Sequence, residues 1–385
     1  MNASRQTGDH ATPSAVALGP ILSRRFTTYG ADTRRSIFQL VTTATPFLAL
    51  LAVMGWASNG YFWLTLLLAI PAAGLLVRLF IIQHDCGHSS FFRSRAANDL
   101  VGRALSLLTL TPYDSWKRSH AAHHASTGNL DRRGRGDVET MTVAEYQASS
   151  PLRKLAYRLF RNPLVMVMLG APINFILLQR FPNSHELRNR RSLQSVLLLD
   201  LALLLGFGLL SYLFGTLTVL GTYLPLMIMA SWAGNWLFYV QHQFEDAHWE
   251  RDGDWNFHEA AVVGSSYFKL PPVLQWFSGN IGLHHVHHLC SRVPNYRLQA
   301  CLAAAPELAG IAKVITLRES LRCWRLALWD EQRGRLVGFR EVEPRLACQE
   351  VLEGHLGLNH RIEVTDQQGG PVATVRFKVA IKLHA

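Results

Sequence analysis

The chain has 385 residues, 49% of them hydrophobic, and 38 Lys and Arg against 27 Asp and Glu, a formal net charge of +11. A basic excess points to nucleic acid when it clusters on one face, but here the cations lie between long apolar runs, so no nucleic-acid partner is expected. Cys86, Cys290, Cys301, Cys323 and Cys348 form no Cys-x-x-Cys pair, which argues against a thiolate zinc site or a disulfide framework.

Residues 1–35 are small and polar, with two acidic residues and five arginines, and are expected to form a disordered tail. They lack the apolar core and cleavage site of a secretory signal. Residues 36–57 carry no charge and satisfy the roughly 20 residues that a spanning helix needs. After the turn Ser58-Asn59-Gly60, residues 61–83 form a second span, whose one charge, Arg78, is expected to snorkel to the interface. Residues 99–113 are apolar but too short to cross, and read as a re-entrant or interfacial segment. Residues 152–181 mix Arg, Leu and Met with Pro163 and Pro172, the pattern of membrane-surface helices. Two further spans, 193–214 and 217–240, are joined by Gly215-Thr216. A helical pattern from about 311 to 331 carries Arg318, Arg322, Trp324 and Trp329. Beyond it, the period-two alternation around Gly369-Gly370 predicts a β-hairpin.

The expected fold is therefore an all-α integral membrane protein. Four transmembrane helices form two hairpins, with interfacial helices, a cytosolic helical cap and a small C-terminal β-hairpin appendage. The boundaries are 1–35 for the tail, 36–335 for the membrane domain and 340–385 for the appendage. The links 58–60 and 215–216 hold no Lys or Arg, whereas 84–192 holds sixteen. The positive-inside rule then puts both termini and the long polar segments in the cytosol, in what is expected to be a bacterial inner membrane.

Three histidine boxes stand out from this background: His84-Asp85-Cys86-Gly87-His88, His120-Ala121-Ala122-His123-His124 and His284-His285-Val286-His287-His288. Residues three and four apart share a helix face, so each box aims several imidazole nitrogens at one point. Eight of the 17 histidines occupy these spacings. So many imidazoles exceed one zinc or one iron and suit two metals with four or five ligands each. The first box alone resembles the His-Glu-x-x-His of metalloproteases with Asp in place of Glu, but that reading leaves two boxes unexplained. A metal transporter with histidine-rich cytosolic loops is the non-enzyme alternative. It would place ligands near the midplane, whereas these boxes sit where the spans leave the membrane.

Together with their flanks Trp116-Lys117-Arg118-Ser119 and Gly279-Asn280-Ile281-Gly282-Leu283, the boxes resemble those of membrane fatty-acid desaturases. Within that family the chain is most similar to the acyl-lipid Δ12/ω-6-like branch, over roughly 36–330. The resemblance implies four spanning helices, a cytosolic di-iron centre (two Fe ions) and an O2-dependent introduction of a cis double bond into membrane-lipid acyl chains. It carries the family's ligands onto His84, His88, His120, His123, His124, His284, His287 and His288. A further family ligand at the end of the fourth span falls on His242. Ala121-Ala122 and the additional His285 depart from the family pattern. A fatty-acyl hydroxylase, an acetylenase or a carotenoid-modifying oxygenase on the same scaffold remain alternatives. With no flavin, nicotinamide or iron–sulfur pattern in the chain, electrons are expected from a ferredoxin-type donor and its reductase, docking on the basic face. Asp85 is read as an acceptor that fixes a histidine tautomer, and Trp116 as packing beside the metals. Asp200, inside the third span, is expected to face a partner or water, with structural pairing favoured over substrate contact. His285, His248 and His258 are not expected among the ligands.

Overall fold

In the computed structural model, residues 15–134, 136–342, 361–365 and 371–376 are described. The chain divides into two compact units, Met1–Leu336 and Val337–Ala385. The larger opens with α1 (Ala15–Phe26), α2 (Thr33–Ala57), α3 (Phe62–Gly87), α4 (Arg95–Thr109) and α5 (Tyr113–Ser126). It continues through α6 (Arg190–Phe214), α7 (Thr216–His242) and the short α8 (His284–Leu289).

The four spans read from the sequence lie in α2, α3, α6 and α7. Length and apolarity admit a fifth stretch, Leu164–Leu187, so five helices of the described chain could cross a membrane. That fifth stretch is broken. It runs as a π-helix (Leu164–Gly170), an α-helix (Ala171–Ile176), a 3-10 turn (Leu178–Arg180) and a last short helix (Ser184–Leu187). Pro163 and Pro172, which lack amide donors, stand at its first two segments. By contrast, α6 and α7 are continuous and meet at one residue, Gly215, whose φ of +86° favours glycine.

Helix α3 is the axis of the bundle: 61% of its apolar window is buried, against 11% for α6. In lipid a leucine gains little by leaving hydrocarbon for protein, so packing and buried hydrogen bonds decide which helix is central. Leu79 and Ile82 of α3 pack with Phe91 and Tyr113. Gln83 donates to Ser106 Oγ (3.1 Å) and the Thr111 carbonyl (3.2 Å), and accepts from Thr109 Oγ1 at 2.6 Å. These bonds tie α3 to the α4–α5 corner and fix the height at which its last turn presents the first box. That box begins inside the helix, with His84 in the last turn and His88 as its cap.

Three expectations are corrected. Part of the supposed disordered tail is α1, whose buried Ala15, Gly19, Leu22 and Phe26 repeat at helical spacing. Leu22 and Phe26 pack with Val286 and Leu289 of α8, and Arg25 donates to the Ala304 carbonyl (2.9 Å) and Glu307 (3.0 Å). Arg78 does not snorkel. It is buried, donates to Thr43 Oγ1 (3.2 Å) and the Trp276 carbonyl, and lies 4.3 Å from the Trp276 ring centroid. A buried cation thus finds a hydroxyl, a carbonyl and a π-face in place of water.

The third correction concerns 311–331, which is not one helix. β3 (Val314–Thr316) pairs in parallel with β2 (Tyr267–Lys269), and β4 (Leu328–Asp330) with β1 (Met141–Thr142). Between them, Thr316 and Glu319 form a capping box on the short helix Leu317–Ser320. Ile315 and Trp329 are buried in a cluster with Tyr239 and Val240 of α7, so tertiary packing overrides the helical period. In the smaller unit, Arg361–Thr365 pairs antiparallel with Pro371–Arg376, as the alternation predicts. Gly369-Gly370 lies outside the described residues.

Candidate metal centre

The three boxes and His242 converge from four helices. The last turn of α3 supplies His84 and its cap His88, and α5 supplies His120, His123 and His124. His242 is the last residue of α7, and α8 brings His284, His287 and His288. Their ligand atoms fall into two groups, each within 4.8 Å: His84, His88, His120, His124, His287; and His123, His242, His284, His288. All nine histidines singled out in the sequence are in these groups. His285 points elsewhere, with its ring 6.0 Å from that of Tyr267, and burial pushes its pKa down to about 4.

Nitrogens of different rings approach one another as closely as ligands of one ion do. The Nε2 atoms of His120 and His124 are 3.1 Å apart, as are those of His124 and His287. Those of His242 and His284 are 2.9 Å apart, and those of His284 and His288 3.0 Å. With metal–nitrogen bonds of about 2.1 Å, neighbouring ligands of an octahedral ion lie about 3.0 Å apart. His88 Nε2 is buried without a hydrogen-bond partner, as a nitrogen kept for a metal would be. Burial, reinforced by the neighbouring imidazoles, holds His88, His120, His124, His284, His287 and His288 well below the ordinary histidine pKa. They are therefore neutral near pH 7, the form that ligates. An all-nitrogen set of five and four fits two transition-metal ions.

The opposite edges of three rings are held in place. His84 Nδ1 lies 3.0 Å from Asp85 Oδ1, while Asp85 Oδ2 accepts from the Asn295 backbone (2.6 Å) and side chain (2.8 Å). His123 Nδ1 meets Asp137 Oδ1 and lies 3.1 Å from Thr127 Oγ1. His242 Nδ1 lies 3.2 Å from the Gly264 carbonyl. Each acceptor favours the Nδ1–H tautomer and leaves Nε2 a free lone pair. Asp137 is absent from the sequence reading. Its approach depends on Gly136, with φ +73° and a Cβ position only 3.0 Å from His123 Cβ. The Gly134-Arg135-Gly136 run beside box two was the available signal.

Trp116 stacks on His120 with centroids 4.6 Å apart and planes 15° apart. Gly87 makes room for it, since a Cβ there would come within 2.9 Å of Trp116 Cζ3. His248 and His258 lie outside both groups, His248 4.0 Å from Glu259 and His258 against Gly19 of α1. Asp200 pairs with Arg180 at 2.8 Å, and Cys86 and Cys290 are buried free thiols.

A cavity of about 970 Å³ adjoins the centre, large enough for a substantial ligand. His84, His120 and His284 border it, and Leu76, Phe80, Phe175, Met227 and Phe238 form apolar wall. Polar and charged side chains of α5 and of 183–192 stand at its exposed rim.

A sequence model of the fatty acid desaturase family matches residues 61–314. The chain is 42% identical over 312 residues to a fatty acid desaturase of Bacillus subtilis, covering 81% of this chain and 88% of that protein. To an sn-1 acyl-lipid omega-3 desaturase (ferredoxin) of Synechocystis sp. it is 31% identical over 281 residues, 69% of this chain and 72% of that one. An sn-1 oleoyl-lipid 12-desaturase from the same genus is 26% identical over 237 residues, 61% and 66% of the two chains.

Proposed function

The chain belongs to the fatty acid desaturase family, and on that premise we propose that it introduces a cis double bond into acyl chains of membrane lipids, in the Δ12/ω-6-like manner, using two iron ions and O2. The convergence of nine imidazoles in two groups beside an apolar cavity is the observation that carries this reading. His84, His88, His120, His124 and His287 would hold one ion, and His123, His242, His284 and His288 the other. When bound, such a pair supplies reductive O2 activation strong enough to take hydrogen from an unactivated C–H bond.

The rest of the work falls to the chain's own side chains. Asp85 and Asp137 orient His84 and His123 from behind, so that little reorganisation is needed. Phe80, Phe175 and Phe238 offer apolar surface along which an acyl chain can lie beside His84 and His120, and they exclude water there. Trp116 braces His120 and closes that wall. Four helices, α2, α3, α6 and α7, span the bilayer on this reading. The broken stretch Leu164–Leu187 lies along its surface, with the centre on the cytosolic side and 340–385 a separate appendage. The metal set comprises the nine histidines alone.

Electrons come from a ferredoxin-type protein and its reductase, a reading supported by the ferredoxin in the name of one relative. The test is expression in a host whose lipids carry monounsaturated chains, followed by fatty-acid profiling with and without O2. A second cis double bond that forms only aerobically is expected. Unchanged fatty acids with a hydroxylated lipid or an altered carotenoid would refute the desaturase assignment.

A further inference from the structure

The rim of the cavity carries two cations whose charge is not matched among the described residues. Arg118 of α5 and Arg188, just after the helix Ser184–Leu187, both line it and are exposed. Among the described residues, neither has a carboxylate within ion-pair distance. Other cations of these elements are paired, Lys117 with Asp99 (2.8 Å), Arg103 with Asp114 (2.9 Å) and Arg180 with Asp200 (2.8 Å). The carboxylate that shares the rim, Glu186, is already engaged, accepting from Ser115 Oγ and from the Asn183 backbone at 2.7 Å. The Ser115–Glu186 contact also ties the two elements together. Ser115 lies three residues before Arg118, hence on the same face of α5, and Arg188 caps the short helix that carries Glu186. Both arginines line one cavity whose inner wall is apolar and ends at histidines.

A cavity with this polarity fits an amphiphile with a hydrocarbon chain inside and an anion outside. We propose that Arg118 and Arg188 form a phosphate-binding mouth that selects the phosphodiester headgroup of a glycerophospholipid. The inference rests on the acyl-lipid reading above: an esterified acyl group has no charge at its carboxyl carbon, so the anion that meets the arginines is the headgroup phosphate. Guanidinium suits this role because its planar donor fork matches two phosphate oxygens at once. The headgroup held there fixes one end of the chain, and with it which carbons reach His84 and His120.

The test is equilibrium binding by the iron-loaded full chain in detergent micelles. The probes are dioleoyl phosphatidylglycerol, the uncharged monogalactosyl diacylglycerol with the same chains, and oleoyl-CoA as a second source of phosphate. The wild type is expected to prefer phosphatidylglycerol to the galactolipid by about tenfold, and Arg118→Gln/Arg188→Gln to remove that preference. Iron content and galactolipid binding stay at wild-type level, and Arg118→Lys/Arg188→Lys restores part of the preference. Equal binding of the two lipids by the wild type, or an equal loss for both in the double variant, would overturn the proposal. So would oleoyl-CoA binding more tightly than either lipid and depending on the arginines, because the phosphate would then belong to a soluble carrier. An intact preference for phosphatidylglycerol, with no double bond formed in the presence of a competent donor system, would instead sink the desaturase reading and leave the mouth standing.

Discussion

The two histidine groups share the second and third boxes, but the first box serves only the group of five and His242 only the group of four, and their surroundings differ. The group of four is wholly buried, and α7 contributes His242 from its very end. The group of five includes the half-buried His88, His120 and His124 and meets the cavity through His84 and His120, whereas the group of four reaches it through His284 alone. In the first, most imidazoles double as core side chains; in the second, more of them form wall that a substrate would touch. Each group has one carboxylate behind it, Asp137 for the four and Asp85 for the five. Asp85 is adjacent in sequence to its histidine, whereas Asp137 arrives from a loop.

That contrast is tested most strongly by removing ligands. His120→Ala, His124→Ala, His287→Ala and His288→Ala should each abolish double-bond formation, a loss beyond the roughly 10–100-fold typical of outer partners, while membrane insertion survives. Within this set His287→Ala and His288→Ala, whose side chains are fully buried, should also lower the thermal midpoint more than the other two, because each opens an enclosed cavity, that of His288 lying between His124, 4.0 Å away in a stacked arrangement, and His284. Near-wild-type turnover from two of these variants would contradict the assignment.

Acid should act on both groups. Burial lowers the pKa of six of these imidazoles in the folded chain, while unfolding returns them to about 6.5. The unfolded chain therefore binds more protons, so stability is full above about pH 7 and declines as pH falls below 6.5. Metal retention should follow the same course, as metal assays across a pH series will show. A centre whose metal content is unchanged at pH 5 would argue against imidazole ligation.

Smaller effects separate the two carboxylates. Asp137→Asn and Asp85→Asn should each weaken metal binding by about 10–100-fold. Asp85→Asn should in addition lower the melting temperature, because Asp85 also accepts two hydrogen bonds from Asn295. Equal melting temperatures would show that Asp85 does not anchor that segment. The smallest expected effect is that of Trp116→Leu, which removes a stacking contact worth about 0.5–1.5 kcal/mol and should lower turnover with little change in metal content.

How much of this could be read from the sequence follows from how local each feature is. The eight histidines of the boxes are legible because i,i+3 and i,i+4 spacing is a property of a single helical turn, whereas His242 has no such spacing and comes only from the resemblance to the family. The long apolar helices are legible because each is one contiguous run of the chain, although length and apolarity alone also admit Leu164–Leu187. Asp137 was not, since its contact with His123 depends on a left-handed turn at Gly136. Helix α1 is not legible because its short apolar run, interrupted by Pro20, lies inside a polar, Arg-bearing stretch, and its partners lie more than 200 residues away in α8. Strands β3 and β4 are three residues long and owe their form to partners at 267–269 and 141–142, which no local period reveals. Arg78 looked like a snorkelling cation because Trp276, which receives it, is distant in the chain.

The central claim, two metal ions in two histidine groups, is tested most directly by counting metal in the purified full chain. Elemental analysis should give about two iron atoms per wild-type chain and about one in His88→Ala/His120→Ala, which depletes only the group of five. A wild-type value of one metal per chain, or two undiminished in that double variant, would contradict it.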